Sequence, residues 1–221
     1  MKSFDQIDIA NLRKDYKQQT LDIDATDRNP INQFKKWFQD AANAALPEPN
    51  MFTLATASSE GKPSARVVLL KGLDEQGFRF YTNYKSKKGE DIKVNAHVSM
   101  VFLWHGLERQ VRIEGLAYQL SEKESQTYFS KRPRSSQLGA WISPQSEVIE
   151  NRSVLEKAYE ATQERFKNRK VIPIPPFWGG YLIRPYKIEF WQGRSSRLHD
   201  RILYTLQKIE PKEWKKERLA P

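Results

Sequence analysis

Met51 to Thr82 reads MFTLATASSEGKPSARVVLLKGLDEQGFRFYT, and this stretch decides the fold class. Met51 to Ala57, Ala65 to Leu70 and Phe78 to Thr82 are apolar, β-branched and aromatic runs, residue types that suit a pleated, half-buried surface. Glu60-Gly61-Lys62-Pro63 and Asp74-Glu75-Gln76-Gly77 separate them with residues that tight turns favour. Connections this short join neighbours as antiparallel hairpins, because a parallel pair needs a crossover of about a dozen residues or more. A doubly wound parallel sheet is therefore disfavoured.

Outward from this stretch the pattern continues. Val98 to Trp104 and Gln110 to Leu120 read as further strands, and Tyr181 to Trp191 and Arg201 to Gln207 as two closing strands around Gly193 to His199. Asn29 supplies an N-cap and Pro30 a first-turn proline for a helix whose face is Ile31, Phe34, Trp37, Phe38 and Ala41; it should run to about Leu46, before Pro47 and Pro49. Ser121 and Glu124 have capping-box spacing and start a helix that carries Tyr128 near its end, before Pro133. Val154, Leu155, Ala158, Tyr159, Thr162 and Phe166 mark one face of another helix, and Pro173, Pro175 and Pro176 form a stiff connector. The expectation is a mainly β, antiparallel barrel or sandwich with peripheral helices (α+β). Residues 1–29 read as a polar arm with a short helix, and residues 30–221 as a single domain.

Composition narrows the chemistry. The 221 residues are 38% hydrophobic, enough for one good core, and no apolar run is long enough to cross a bilayer. The first residues are acidic where a signal peptide would be apolar, so a soluble, cytoplasmic protein is expected. With no cysteine there is no disulfide, thiol nucleophile or thiolate metal site. The net charge of +10 favours anionic partners, but the basic residues are interleaved with 27 acidic ones and form no block, which argues against nucleic acid and membrane. His97, His105 and His199 show no HExxH pairing, so no metal is expected, and neither GxGxxG nor GxxxxGK[ST] occurs.

A phosphate must then be gripped by side chains, and four clusters join cations to hydroxyls: Arg66–Lys71, Tyr81–Lys88, Tyr128–Ser136 and Arg194–Arg201. Each also has a plainer reading. Arg66 and Lys71 fall on opposite faces of a regular strand; Lys85, Lys87 and Lys88 would suit a solvated turn; Arg132 and Arg134 would neutralise a helix C-terminus. Trp141 and Trp191 would by default be core. Arg197, His199 and Arg201 with Asp200, in one short loop, add a titratable group to the anion grip, their plainer reading being a structural ion-pair network.

The run EFWQGRSSRLHDR, Glu189 to Arg201, resembles the C-terminal signature of the pyridoxine/pyridoxamine 5'-phosphate oxidases. RVVLLK, FYTNYKSKKG, WHGLERQVRIEG, SKRPRSSQLGAWISPQS and the terminal RLAP resemble family segments in the same order, over roughly Arg13 to Pro221. The pattern departs at Glu48, where the family carries aspartate, at Leu138, and across Arg194 to Ser196.

The resemblance implies an FMN-binding split β-barrel working as a homodimer, with the flavin between subunits. It implies FMN contacts from Arg66, Lys71, Tyr81, Thr82, Lys87, Lys88, Gln110, Gln145, Ser146, Trp191 and Arg201. Arg66 and Lys88 are first choices for its phosphate. The substrate phosphate falls to Lys71, Tyr128, Arg132 and Ser136, and the pyridine end to Arg197 and His199, the implied catalytic pair; His199 would tune or accept a proton. Arg13 and Tyr16 would make the N-terminal arm a lid over the substrate. The implied activity is FMN-dependent oxidation of pyridoxamine and pyridoxine 5'-phosphates to pyridoxal 5'-phosphate, with oxygen giving hydrogen peroxide. The alternatives are a flavin reductase of the same fold and a basic flavin- or nucleic-acid-binding module without oxidase activity.

Overall fold

The structure, a computed structural model, describes Asp8, Asn11, Leu12 and residues 15–221. These fall into two compact units: one takes the described residues up to Pro47 with Leu103–Val111 and Ile188–Pro221, the other Glu48–Phe102 with Arg112–Lys187.

The second unit contains the whole stretch of residues 51–82. β1 (Met51–Ala57) and β2 (Pro63–Leu69) form a hairpin in register from Met51 opposite Leu69 to Ala57 opposite Pro63. β3 (Gly72–Asp74) and β4 (Gly77–Asn83) form the next hairpin. With β5 (His97–Trp104), β6 (Arg109–Gln119) and β7 (Trp178–Gln192) the order is β2-β1-β5-β6-β7-β4-β3, and β4 runs antiparallel to β7 from Phe78 opposite Ile183 to Asn83 opposite Trp178. The mainly β, antiparallel expectation is borne out. Alternation along β1 sends Phe52, Leu54 and Thr56 inward. Phe52 meets Phe80 and Phe102 at ring-centroid distances of 6.2 and 5.1 Å, and burying each such ring contributes roughly 1.5–3 kcal/mol.

Four helices belong to this unit: α2 (Lys87–Val94), α3 (Glu122–Ser130), α4 (Arg134–Ile142) and α5 (Arg152–Phe166). Phe129, Leu138, Phe166, Ile172 and Trp178 form a second buried cluster beneath them. The capping box is present: Ser121 Oγ accepts from the Glu124 N–H while the Glu124 carboxylate accepts from the Ser121 N–H. Of the face expected on α5, only Phe166 is fully buried and Val154 stays exposed.

In the first unit, helix α1 (Pro30–Asn43) buries Ile31, Phe34, Trp37 and Ala41, and the Asn29 side chain accepts from the Ile31 N–H. The helix stops short of the expected Leu46 because the chain turns at Ala45, whose φ is +51°. β8 (Asp200–Lys208) pairs with β7 and with β9 (Glu213–Leu219). The Tyr204 hydroxyl donates to Asp27 O at 2.7 Å. β3, α2, α4 and β9 were not foreseen, being short or, like EWKKERL, charged with little periodicity. No helix among the described residues is long and apolar enough to cross a membrane, and no cluster of His, Asp or Glu there could hold a metal.

Candidate active site

A cleft of about 800 Å³ in the second unit lies between β2, the β4–α2 connection, α3 and α4. Two groups of polar side chains line it.

The first group surrounds Arg66 and Lys88. Arg66 donates to Thr56 Oγ1 at 2.7 Å, Ser64 Oγ at 2.6 Å and Leu54 O at 3.3 Å. Ser64 and Arg66 share a face because they are two apart in one strand. Lys88 is 7% exposed, and its Nζ donates to Gln145 Oε1 at 2.9 Å, Ser86 Oγ at 3.0 Å and Thr82 Oγ1 at 3.3 Å. These partners are all neutral. Burial, with the nearby Arg66 charge, therefore brings Lys88 down to about 8, and burial also lowers Arg66 against the pull of Asp91. Lys87 differs, since its ammonium pairs with the buried Asp91 carboxylate, which also accepts from Thr56 at 2.8 Å. The lysine run, whose plainer reading was a solvated turn, is the start of α2, with Lys88 turned inward. Ser146, at φ +77°, accepts from the Lys87 N–H at 3.2 Å.

The second group is Lys71, Tyr128, Arg132 and Ser136. Lys71 lies beyond the end of β2, so strand alternation no longer governs it and it lines the same cleft as Arg66. Arg132 lies over Trp178, 4.6 Å from the ring centroid, and one terminal guanidinium nitrogen is buried with no hydrogen-bond partner. Burial lowers its pKa, opposed by Tyr128. The rings of Tyr81 and Tyr128 stack at 3.8 Å and 13°, and Trp178 is nearly parallel to both. Gly180 makes room for this stack, since a Cβ there would lie 2.7 Å from Tyr81 Cε1. Arg134, from the same basic run, instead donates to Phe166 O at 2.8 Å and Arg169 O at 3.0 Å, capping the C-terminal end of α5.

Gln110, Trp191, Arg197, His199, Arg201 and Tyr16 are not among the residues lining this cleft. Tyr16, Arg197 and His199 line a cavity of about 410 Å³ in the first unit, with Asp15, Arg194 and Ser196. Tyr16 stands edge-on to Trp191 at 5.8 Å and near His199 at 5.9 Å, and Trp191 meets His199 at 4.6 Å. The Arg194 N–H donates to His199 Nδ1 at 3.1 Å. Ser196 and Arg197 have φ of +56° and +62°, strain of the order of 1 kcal/mol or more at each that concentrates at working loops. Arg201 donates to Glu189 at 2.8 Å and to Ala220 O at 2.7 Å, the Glu189 bond raising its pKa. Gln110 sits near the start of β6, and Arg13 lies outside the described residues. Thr56, Ser64 and Asp91 join the site beyond the residues expected from sequence; of these only Ser64 carried a signal, the period-two spacing from Arg66.

The fold is that of the FMN-binding split barrels, and its cleft is lined by cations and hydroxyls. Residues 38–166 match the family described as pyridoxamine 5'-phosphate oxidase, and residues 178–221 match the pyridoxine 5'-phosphate oxidase C-terminal dimerisation region. Pyridoxine/pyridoxamine 5'-phosphate oxidase of Acaryochloris marina is 52% identical over 98% of this chain and 97% of its own. The enzyme of that name from Rubrobacter xylanophilus is 53% identical over 97% of each. Among solved structures, PhzG from Burkholderia lata 383, in complex with tetrahydrophenazine-1-carboxylic acid, superposes with TM-score 0.86 at 28% identity over 94% of this chain and all of the other. A pyridoxamine 5'-phosphate oxidase-related, FMN-binding protein from Nostoc punctiforme shares the fold, with TM-score 0.69 at 19% identity over 87% of this chain and 98% of its own. The chain belongs to the pyridoxine/pyridoxamine 5'-phosphate oxidase family of oxidoreductases.

Proposed function

We propose that the protein oxidises pyridoxine 5'-phosphate directly, and pyridoxamine 5'-phosphate through an imine that water hydrolyses with release of ammonia, to pyridoxal 5'-phosphate, with FMN as cofactor and oxygen as final acceptor, giving hydrogen peroxide. The observation that carries this reading is the charge state of one cleft: Arg66 and Lys88 meet only neutral hydrogen-bond acceptors, and a buried Arg132 nitrogen has no partner. The one carboxylate nearby, Asp91, is already paired with Lys87, and cations drawn out of water without an anion hydrogen-bonded to them are unfavourable, so such a pocket is completed by anionic ligands.

The donor set fits FMN. Arg66 and Lys88, with the Thr82 hydroxyl, would hold its phosphate, and Gln145 and Ser146 would border it. The second group suits a substrate phosphate: Lys71 and Arg132 supply charge, Tyr128 and Ser136 hydroxyl donors. FMN, when bound, supplies the acceptor for the hydride that leaves the substrate's C4' carbon. The chain itself fixes two phosphates and so orients the two rings they carry.

Arg197 and His199 would hold the pyridine end, as the resemblance implies. Because the Arg194 N–H occupies Nδ1, the neutral His199 imidazole carries its proton on Nε2 and offers that N–H as a donor. Trp191, Arg197, His199 and Arg201 all lie in the stretch matched to a dimerisation region, which supports a homodimer as the working form.

The test is anaerobic mixing of the flavin-loaded protein with pyridoxamine 5'-phosphate, then pyridoxine 5'-phosphate, while following flavin absorbance. Bleaching by either is the expected result. Bleaching by NADPH and by neither vitamer would overturn the proposal in favour of a flavin reductase.

A further inference from the structure

We infer that Glu108 is a positioning residue: its carboxylate latches the chain segment that carries Tyr16, and so sets the wall that Tyr16 forms beside Trp191 and His199. Glu108 closes the turn after the short 3-10 segment His105–Leu107 and is 3% exposed. One carboxylate oxygen, Oε2, accepts from the Lys17 N–H at 2.9 Å and the Gln18 N–H at 3.1 Å. The Glu108 carbonyl accepts from the Gly193 N–H at 2.7 Å and from Gln192 Nε2 at 3.2 Å. One residue thus ties the segment after Tyr16 through its side chain, and the strand end after Trp191 through its backbone.

Two neighbours reinforce this arrangement. Arg109 donates to Gln192 at 3.0 Å, to Asp40 at 2.7 Å and to the Gln19 side chain, so the next residue of the arm is held as well. Gly193 accommodates the Tyr16 ring, since a Cβ there would lie 2.8 Å from Tyr16 Cγ.

The backbone at Glu108 separates this role from plain structural support. Its φ of +54° and ψ of +37° are left-handed, a conformation that glycine adopts freely and a side chain does not. A structural turn here would be better served by glycine. Glutamate is explained by what its carboxylate does, accepting two charge-assisted bonds from consecutive amides.

Glu108→Gly therefore relieves the turn while deleting the latch, and Glu108→Gln keeps an acceptor of the same length without the charge. Both are compared with wild type as the flavin-loaded, full-length protein, by hydrogen exchange of peptides covering residues 15–19. Exchange there should rise about tenfold in Glu108→Gly and less in Glu108→Gln, with protection across 48–102 unchanged. KM for pyridoxamine 5'-phosphate should rise about 5- to 20-fold in Glu108→Gly, partly rescued in Glu108→Gln, with a smaller change in kcat. Wild-type exchange at 15–19 in Glu108→Gly, or faster exchange spread through 48–102, would overturn the proposal. Should Glu108→Gly not fold, Glu108→Gln alone decides: exchange at 15–19 must still rise at least about twofold, and unchanged exchange overturns the latch. The KM prediction rests on the proposed substrate; the exchange prediction does not. Local loosening in an enzyme that turns over no vitamer would leave the latch standing and remove the proposed function.

Discussion

Arg66 and Lys88 line one cleft as two cations whose hydrogen bonds go to neutral oxygens, and the charge of Arg66 adds to burial in making the Lys88 ammonium easier to deprotonate. The cations there outnumber the one nearby carboxylate, Asp91, which pairs with Lys87, so the cleft favours the entry of an anion.

The first prediction is a pH dependence. Lys88 sits at about 8 against an ordinary 10.5, so between these values the unfolded chain binds more protons than the folded one, and ligand-free stability gains from this group as pH rises through that window. A phosphate dianion reverses the preference, and its binding takes up a proton above about pH 8. FMN affinity, followed by fluorescence quenching, should fall roughly tenfold or more between pH 7.5 and 9.5, and Lys88→Met should bind weakly with little pH dependence. A flat wild-type profile would refute this.

Arg132→Ala should raise KM for pyridoxamine 5'-phosphate by about 10- to 100-fold, the loss expected for hydrogen bonds to a charged group, with FMN affinity near wild type. Loss of flavin with substrate binding intact would mean that the two phosphate groups of side chains have been assigned the wrong way round.

Arg134, two residues on, should behave in the opposite way. Its guanidinium serves the carbonyls of Phe166 and Arg169, so Arg134→Ala should cost about 1–2 kcal/mol of stability in urea denaturation and leave KM within about twofold. A large KM change with normal stability would place Arg134 in the substrate site instead.

Gly193→Ala introduces a methyl group into the space of the Tyr16 ring. Tyr16 must move away from Trp191, so KM should rise several-fold and Trp191 emission should change, while FMN binding persists. The unaltered emission of Trp191 in an enzyme of normal KM would show that Tyr16 does not rest there in solution.

The hairpins of β1–β2 and β3–β4, the capped starts of α1 and α3 and the inward rings of β1 were legible in the sequence, because alternation, turn chemistry and capping are local rules. β9 and α2 were not, since a charged edge strand and a short glycine-containing helix owe their form to what they pack against.

The chemical inventory, cations with hydroxyls and no metal motif, was set by residue identity alone. Which cation does what was decided only in three dimensions. Lys87 and Lys88 are adjacent in sequence, yet one pairs with Asp91 and the other is buried among neutral oxygens. Arg132 and Arg134 likewise part company, one unpaired over Trp178 and the other capping a helix. Glu108 had no sequence signal at all. A charge acquires its task from the dielectric and the partners around it, and these are assembled from segments far apart in the chain, 91 residues in the bond from the Lys17 amide to Glu108.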